Sequence, residues 1–75
     1  MDELLARAFN AYFREAKRLG VEYDQPAEAA SGVCHDEAGR KYVRLQNGAR
    51  ELAVYRVRND GMLKRLKRWP SDLID

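Results

Sequence analysis

Apolar side chains near the start of the chain recur at intervals of three and four residues, so they form one stripe along a helix. The stripe consists of Leu5, Ala8, Phe9, Tyr12, Phe13, Ala16 and Leu19. Charged side chains fill the opposite side, which is typical of an amphipathic helix packed on a core. Asp2 is suited to cap the amino end of this helix, and Gly20 to the left-handed position after its carboxyl end. The pattern therefore predicts a helix over residues 2–19.

Further along the chain the period of the apolar positions changes to two, which is typical of strands. Residues 41–46 and 51–58 are rich in β-branched and aromatic side chains, the composition of half-buried strands. Asn47-Gly48 and Asn59-Asp60-Gly61 mark tight turns, because asparagine and glycine tolerate the positive φ that a hairpin requires. We therefore predict an antiparallel β-meander within residues 32–69.

Two weaker segments are expected to form the outer strands of this meander. Residues 32–37 are predicted to pair with the first strong strand through a glycine-containing turn. Residues 62–69 are ambiguous, since Leu63, Leu66 and Trp69 are spaced by three and suit a helix as well as a strand. The hairpin signal before this segment favours a strand.

The elements together predict one α+β domain over residues 1–75. Its architecture is one amino-terminal amphipathic helix packed on an antiparallel β-meander of three or four strands. Residues 20–31 contain Pro26 and no sustained period, so we predict a connector there and a tail over residues 70–75. A chain of this size buries only about 60% of its unfolded surface, so the core is expected to be small.

The two central strands can be assigned to the faces of the sheet. Pairing them across a short loop gives one face with Val43, Leu45, Leu52 and Val54, and another with Tyr42, Arg44, Ala53 and Tyr55. Since an unpaired arginine is rarely buried, the face that carries Arg44 is expected to point away from the helix. The predicted core consists of Leu5, Phe9, Tyr12, Phe13, Val43, Leu45, Leu52 and Val54.

Charge is segregated along the chain although its net value is only +2. Residues 1–38 hold four basic and eight acidic side chains, a net charge of −4, and residues 39–69 hold ten basic and two acidic ones, a net charge of +8. The last six residues add two acidic side chains, a net charge of −2. This polarity indicates either a basic surface for a polyanion or opposite surfaces that meet, within one monomer or between copies.

The inventory of reactive side chains argues against catalysis. The single cysteine, Cys34, and the single histidine, His35, are adjacent, so on a strand they point to opposite faces and do not form a nucleophile and base pair. Two candidate ligands are too few for a metal site, and no glycine-rich phosphate loop occurs. We expect no enzyme activity, no metal or other cofactor and no small-molecule substrate. We interpret Asp36-Glu37 as a solvated turn.

The basic strands are the one feature with functional content. The binding-surface candidates are Tyr42, Arg44, Tyr55, Arg56, Arg58, Lys64, Arg65, Lys67 and Arg68. With the tyrosines on an open second face beside Val57 and Leu63, this surface favours a protein-interaction or self-associating module, whose partner is a second copy or an acidic protein. A dimer at micromolar concentration is then expected.

Two other interpretations of the same residues stay open. Arginine and lysine can neutralise phosphates while exposed tyrosines stack on unpaired bases, which indicates a single-stranded nucleic acid as the alternative partner. The run of basic residues at 64–68 is also explained by a solvated edge strand that resists aggregation. A lone cysteine and the lack of a long apolar run predict a cytoplasmic protein with no membrane partner.

Overall fold

The computed structural model describes residues 2–20, 24–48, 50–68 and 73. Its elements are helix α1 (Glu3–Leu19), a single 3-10 turn (Glu28–Ala30), and strands β1 (Gly32–His35), β2 (Lys41–Asn47), β3 (Arg50–Val57) and β4 (Leu63–Arg65). The strands form one antiparallel sheet in the order β1-β2-β3-β4, so each strand pairs with its neighbour in the chain. The predicted α+β fold, one helix on a meander, is confirmed.

Helix α1 begins and ends where its capping residues indicate. The Asp2 carboxylate accepts a hydrogen bond from the Leu4 N–H at 2.8 Å, which satisfies one of the free donors of the first turn. Gly20 has a φ of 67° and donates its N–H to the carbonyls of Ala16 and Lys17, as in other left-handed caps. The two caps define the length of the helix.

The main core lies between the helix and one face of the sheet. Its fully buried centre is Val43 and Leu45 of β2, which meet Leu5, Ala8 and Tyr12 of the helix. Phe9, Phe13 and Leu52 are partly buried and pack against this core. The predicted inner face of β2 is therefore confirmed, and so is the predicted stripe except for Leu19, which is 55% exposed at the end of the helix.

A β-bulge in the pairing of β2 with β3 decides the facing of β3. Next to the turn, Gln46 pairs with Glu51, but the next pair along the ladder joins Leu45 to Ala53. Leu52 is therefore one extra residue in β3, and each later residue of that strand is displaced by one position. Because successive side chains point to opposite faces, this displacement exchanges the faces of the strand.

The predicted facing of β3 is wrong beyond the bulge. Ala53 and Tyr55 face the helix as part of the main core, whereas Val54 lies on the outer face. The physical reason is the position of Arg56, which alternates with Tyr55 and would point at the helix in a ladder without a bulge. With the bulge, Arg44 and Arg56 both lie on the outer face, where their charges remain hydrated.

The outer face of the sheet carries a second, smaller apolar cluster. Cys34, Tyr42 and Val54 are buried there, and Leu66 and Leu73 pack against them. The Leu66 N–H also donates to the Val54 carbonyl at 3.0 Å. Residues that follow β4 in the chain therefore cover part of this face.

The open apolar patch predicted on the second face is not present among the described residues. Tyr55, Val57 and Leu63 contribute to the helix-side core instead. The last predicted strand is also shorter than expected: β4 ends at Arg65, residues 66–68 lie outside it, and Trp69 lies outside the described residues. The segment begins as a strand and not as a helix.

Tyr55 is the least satisfied polar group of the core. Its side chain is 3% exposed, and its hydroxyl has no hydrogen-bond partner among the described residues. Burial raises the pKa of Tyr55 to about 12 from the ordinary 10.0. The folded protein therefore keeps this phenol protonated at a pH where the unfolded chain loses the proton. Ionisation of this group therefore leaves the free energy of unfolding unchanged below the ordinary pKa and lowers it as pH rises from that value towards the folded one.

We predict that Tyr55→Phe leaves the free energy of unfolding unchanged or raises it by about 1 kcal/mol at neutral pH, because it removes an unsatisfied buried hydroxyl. Tyr12→Phe is the matched control, since the Tyr12 hydroxyl donates to the Asp24 carbonyl at 3.0 Å. That control is expected to lose about 1 kcal/mol. Urea unfolding measures both, and Tyr55→Phe should also weaken the loss of stability at alkaline pH. A larger loss for Tyr55→Phe than for Tyr12→Phe contradicts an unpartnered hydroxyl.

Candidate functional site

Ion pairs within the monomer join the acidic part of the chain to its basic part. They are Arg40 with Asp36 at 2.7 Å, Arg50 with Asp24 at 2.6 Å, and Arg65 with Glu15 at 3.1 Å. Within the basic part, Arg44 pairs with Glu51. The segregation of charge in the sequence is therefore partly resolved by contacts between the two halves of one monomer.

Arg65 is separated from the basic candidates Arg44, Arg56 and Lys64 by its place in the sheet. It pairs with Tyr55 across the β3–β4 ladder and so lies on the helix side. Its guanidinium lies 5.7 Å from the centre of the Tyr12 ring and forms an ion pair with Glu15. These contacts tie β4 to the helix, and they place the charge of Arg65 away from the outer face.

Asp36 is a buried carboxylate in the β1–β2 turn, so the interpretation of this position as a solvated turn is wrong. The residue is 6% exposed. Its oxygens accept from the Arg40 N–H at 2.9 Å, the Arg40 Nε at 2.7 Å and the Tyr42 hydroxyl at 2.9 Å. Burial alone raises the pKa of Asp36, but these hydrogen bonds and the Arg40 charge outweigh it, and the net pKa lies below the ordinary 3.8.

Neither candidate tyrosine is placed to stack on a base. Tyr42 lies on the outer face as predicted, but it is only 3% exposed and its hydroxyl is bound to Asp36. Desolvation and the Asp36 carboxylate raise the pKa of Tyr42. Tyr55 lies on the other face, under the helix. The predicted pair of exposed tyrosines on one face is therefore wrong.

Three of the candidate basic residues converge on the outer side of the β3–β4 hairpin. They line an open depression, here called the basic depression, formed by Arg56, Arg58, Asn59, Asp60 and Lys64. Arg56 lies directly opposite Lys64 on the neighbouring strand. Among the described residues, none of the three cations has an acidic partner within 4.0 Å. The structure thus concentrates unmatched positive charge at one place.

The turn that carries the basic depression is held by its own backbone contacts. The Arg58 N–H donates to the Met62 carbonyl and the Gly61 N–H to the Arg58 carbonyl, both at 2.9 Å. Asp60 accepts from the Met62 N–H at 3.0 Å, and Gly61 supplies a φ of 84°. Since the sequence marked Asn59 and Asp60 only as turn residues, their place in the lining was missed.

The remaining candidate residues from the sequence lie outside the basic depression. Arg44 is half-buried and paired with Glu51, while Lys67 and Arg68 are exposed beyond the end of β4. Cys34 is buried and His35 exposed, and the described part of the chain contains no group of three or more histidine, cysteine or acidic residues that could hold a metal ion. In the same part of the chain, no helix is long and apolar enough to cross a bilayer.

We predict that Asp36→Asn lowers the free energy of unfolding at neutral pH and that this difference shrinks in acid. The reason is that a carboxylate with a lowered pKa stabilises the fold above its ordinary pKa and loses this contribution as pH falls through the folded value. Urea midpoints from neutral pH to below the ordinary pKa measure the effect.

Glu3→Gln, at an exposed position in the first turn of the helix, is the control for loss of one acidic charge and should cost only a few tenths of a kcal/mol. An Asp36→Asn penalty that is equal at every pH contradicts a stabilising role of the ionised carboxylate.

Comparison of this chain with protein-family models, with curated proteins and with solved structures finds no significant match. A functional interpretation therefore has to come from the residues themselves. Among the described residues, the basic depression places three exposed cations beside a hydrogen-bonded turn, and such a concentration of charge produces a positive local potential.

Proposed function

We propose that this protein is a non-enzymatic binding module that engages a polyanionic partner through the basic depression. The observation that carries the proposal is the pairing of Arg56 with Lys64 across the β3–β4 ladder, with Arg58 beside them and no acidic partner in the described chain. Like charges directly opposite one another on neighbouring strands destabilise a sheet. An anion bound between them removes this repulsion.

Protection of a solvated edge does not explain the whole arrangement. Lys64 lies on β4, which is an edge strand, and a lysine there is a common defence against aggregation. Arg56, however, lies on β3, which is paired on both sides by β2 and β4. Because β3 has no free edge, protection against aggregation does not explain the charge of Arg56, and a binding role does.

The partner we propose is a polyanion in preference to an apolar protein surface. The tyrosines predicted to form a self-association patch lie on opposite faces of the sheet, and each is only 3% exposed. A dimer at micromolar concentration stays a prediction, but the exposed tyrosines that were expected to form its interface are buried. An acidic protein and a nucleic acid both satisfy the charge of the basic depression, and both remain within the proposed function.

We predict that the protein binds inorganic polyphosphate at low salt and that Arg56→Gln and Lys64→Gln each weaken this binding about fivefold, since one exposed charge at about 4 Å contributes on the order of 1 kcal/mol in water. Lys17→Gln is the matched control, because it removes the same charge from the exposed side of the last helical turn. Isothermal titration at several salt concentrations measures the affinities. Equal losses for the control and the depression variants contradict this site.

We predict that Asp60→Asn strengthens polyphosphate binding about fivefold, because it removes the one acidic charge of the lining. The asparagine oxygen can still accept from the Met62 N–H, as the carboxylate does at 3.0 Å, so the turn should be preserved. Loss of the folded site is expected to weaken binding, so a gain in affinity complements the charge-removal series. Unchanged affinity contradicts an anion in the basic depression.

A further inference from the structure

We infer that the polyanion recognised by the basic depression is the backbone of a nucleic-acid duplex, bound without regard to sequence. This inference rests on the proposed function and narrows it to one partner. It replaces the expectation of a single strand held by stacked tyrosines, because the tyrosines on which that expectation depended are buried.

The first argument concerns what the site can contact. The lining consists of two guanidinium groups, one ammonium group, one amide and one carboxylate. Proteins that hold single strands without sequence preference combine basic residues with aromatic rings on which the bases stack. No aromatic residue among those described lines the basic depression, and the tyrosines of β2 and β3 are buried. Unpaired bases therefore gain no aromatic stacking from this site.

The second argument concerns charge density. Arg56 and Lys64 are opposite residues on adjacent antiparallel strands, so their Cα atoms are separated by about 5 Å. Arg58 follows two residues after Arg56, a distance of about 7 Å in extended chain. Over about 7 Å of its axis a duplex carries about four phosphate charges and a single strand about two. The denser charge of the duplex therefore attracts the three cations more strongly, with a salt slope of about −0.9 for each phosphate contact against about −0.7 on a single strand.

The third argument concerns the shape of the site and its one negative group. The basic depression is open to solvent and borders a hairpin turn, so it does not enclose a ligand. Asp60 is fixed at one side of it by its hydrogen bond with the Met62 N–H. A compact anion that fills the depression lies close to this carboxylate, whereas phosphates spread along a backbone can contact the cations at a greater distance from Asp60. Asn59 can add a donor to a phosphate oxygen.

The test compares three polyanions by fluorescence anisotropy at several salt concentrations. They are a short mixed-sequence DNA duplex, one of its own single strands, and polyglutamate of similar total charge. We expect the duplex to bind most tightly, with a slope of log K against log salt of about −2 to −3 for three phosphate contacts. A second duplex of unrelated sequence should bind equally, since backbone contacts carry no sequence information.

Substitutions test whether duplex binding depends on the residues of the basic depression. Lys64→Gln should lower the magnitude of the duplex slope by about 0.9, Lys17→Gln should leave it unchanged, and Asp60→Asn should raise the affinity for the duplex. Equal or tighter binding of the single strand or of polyglutamate overturns the duplex assignment while the polyanion function stands. Failure of all three polyanions to bind overturns the proposed function together with this inference.

Discussion

A single extra residue in β3, Leu52, decides which side chains of that strand meet the helix. The two-residue turn between Asn47 and Arg50 starts the hairpin in one register, and the bulge changes it by one position before the strand reaches Ala53. Beyond that point Tyr55 packs under the helix and Val54 and Arg56 face outward. The composition of the core and the position of the basic depression both depend on this displacement.

The requirement behind the bulge is the hydration of arginine. In a continuous ladder from the same turn, Arg44 and Arg56 would fall on opposite faces of the sheet, and one of them would lie beneath the helix. Burial of an unpaired guanidinium costs several kcal/mol, more than the local disruption of hydrogen bonding that a single bulge introduces into the ladder. The bulge thus allows both arginines to remain on one hydrated face, and it brings Arg56 opposite Lys64.

The ion pairs of the monomer explain why positive charge remains at one end of the sheet. Asp24, Asp36 and Glu15 each meet an arginine of the basic part of the chain. In a meander the β1–β2 and β3–β4 turns lie at the same end of the sheet. The first turn contains its own buried carboxylate, Asp36, which is paired with Arg40, whereas the second leaves Arg56, Arg58 and Lys64 without acidic partners in the described chain.

The sequence by itself determined the features that depend on neighbouring residues in the chain. The helix follows from the spacing of its apolar stripe and from Asp2 and Gly20 at its ends. The strands follow from alternation, and the turns from glycines that adopt positive φ, such as Gly48 at 62° and Gly61 at 84°. The basic character of β3 and β4 is also visible in the sequence, so the three cations of the candidate site could be predicted from it.

Only the tertiary structure decided how those elements face one another. Period two fixes which residues of one strand share a face, but the relation between two strands changes completely with a one-residue displacement. The sequence held one signal of this displacement. In an uninterrupted ladder that starts from the pair Asn47 and Arg50, Arg44 and Arg56 would lie on opposite faces of the sheet. The burial of Asp36 and the choice of which cations remain unpaired depend on contacts between distant residues, such as Glu15 with Arg65, which no local pattern specifies.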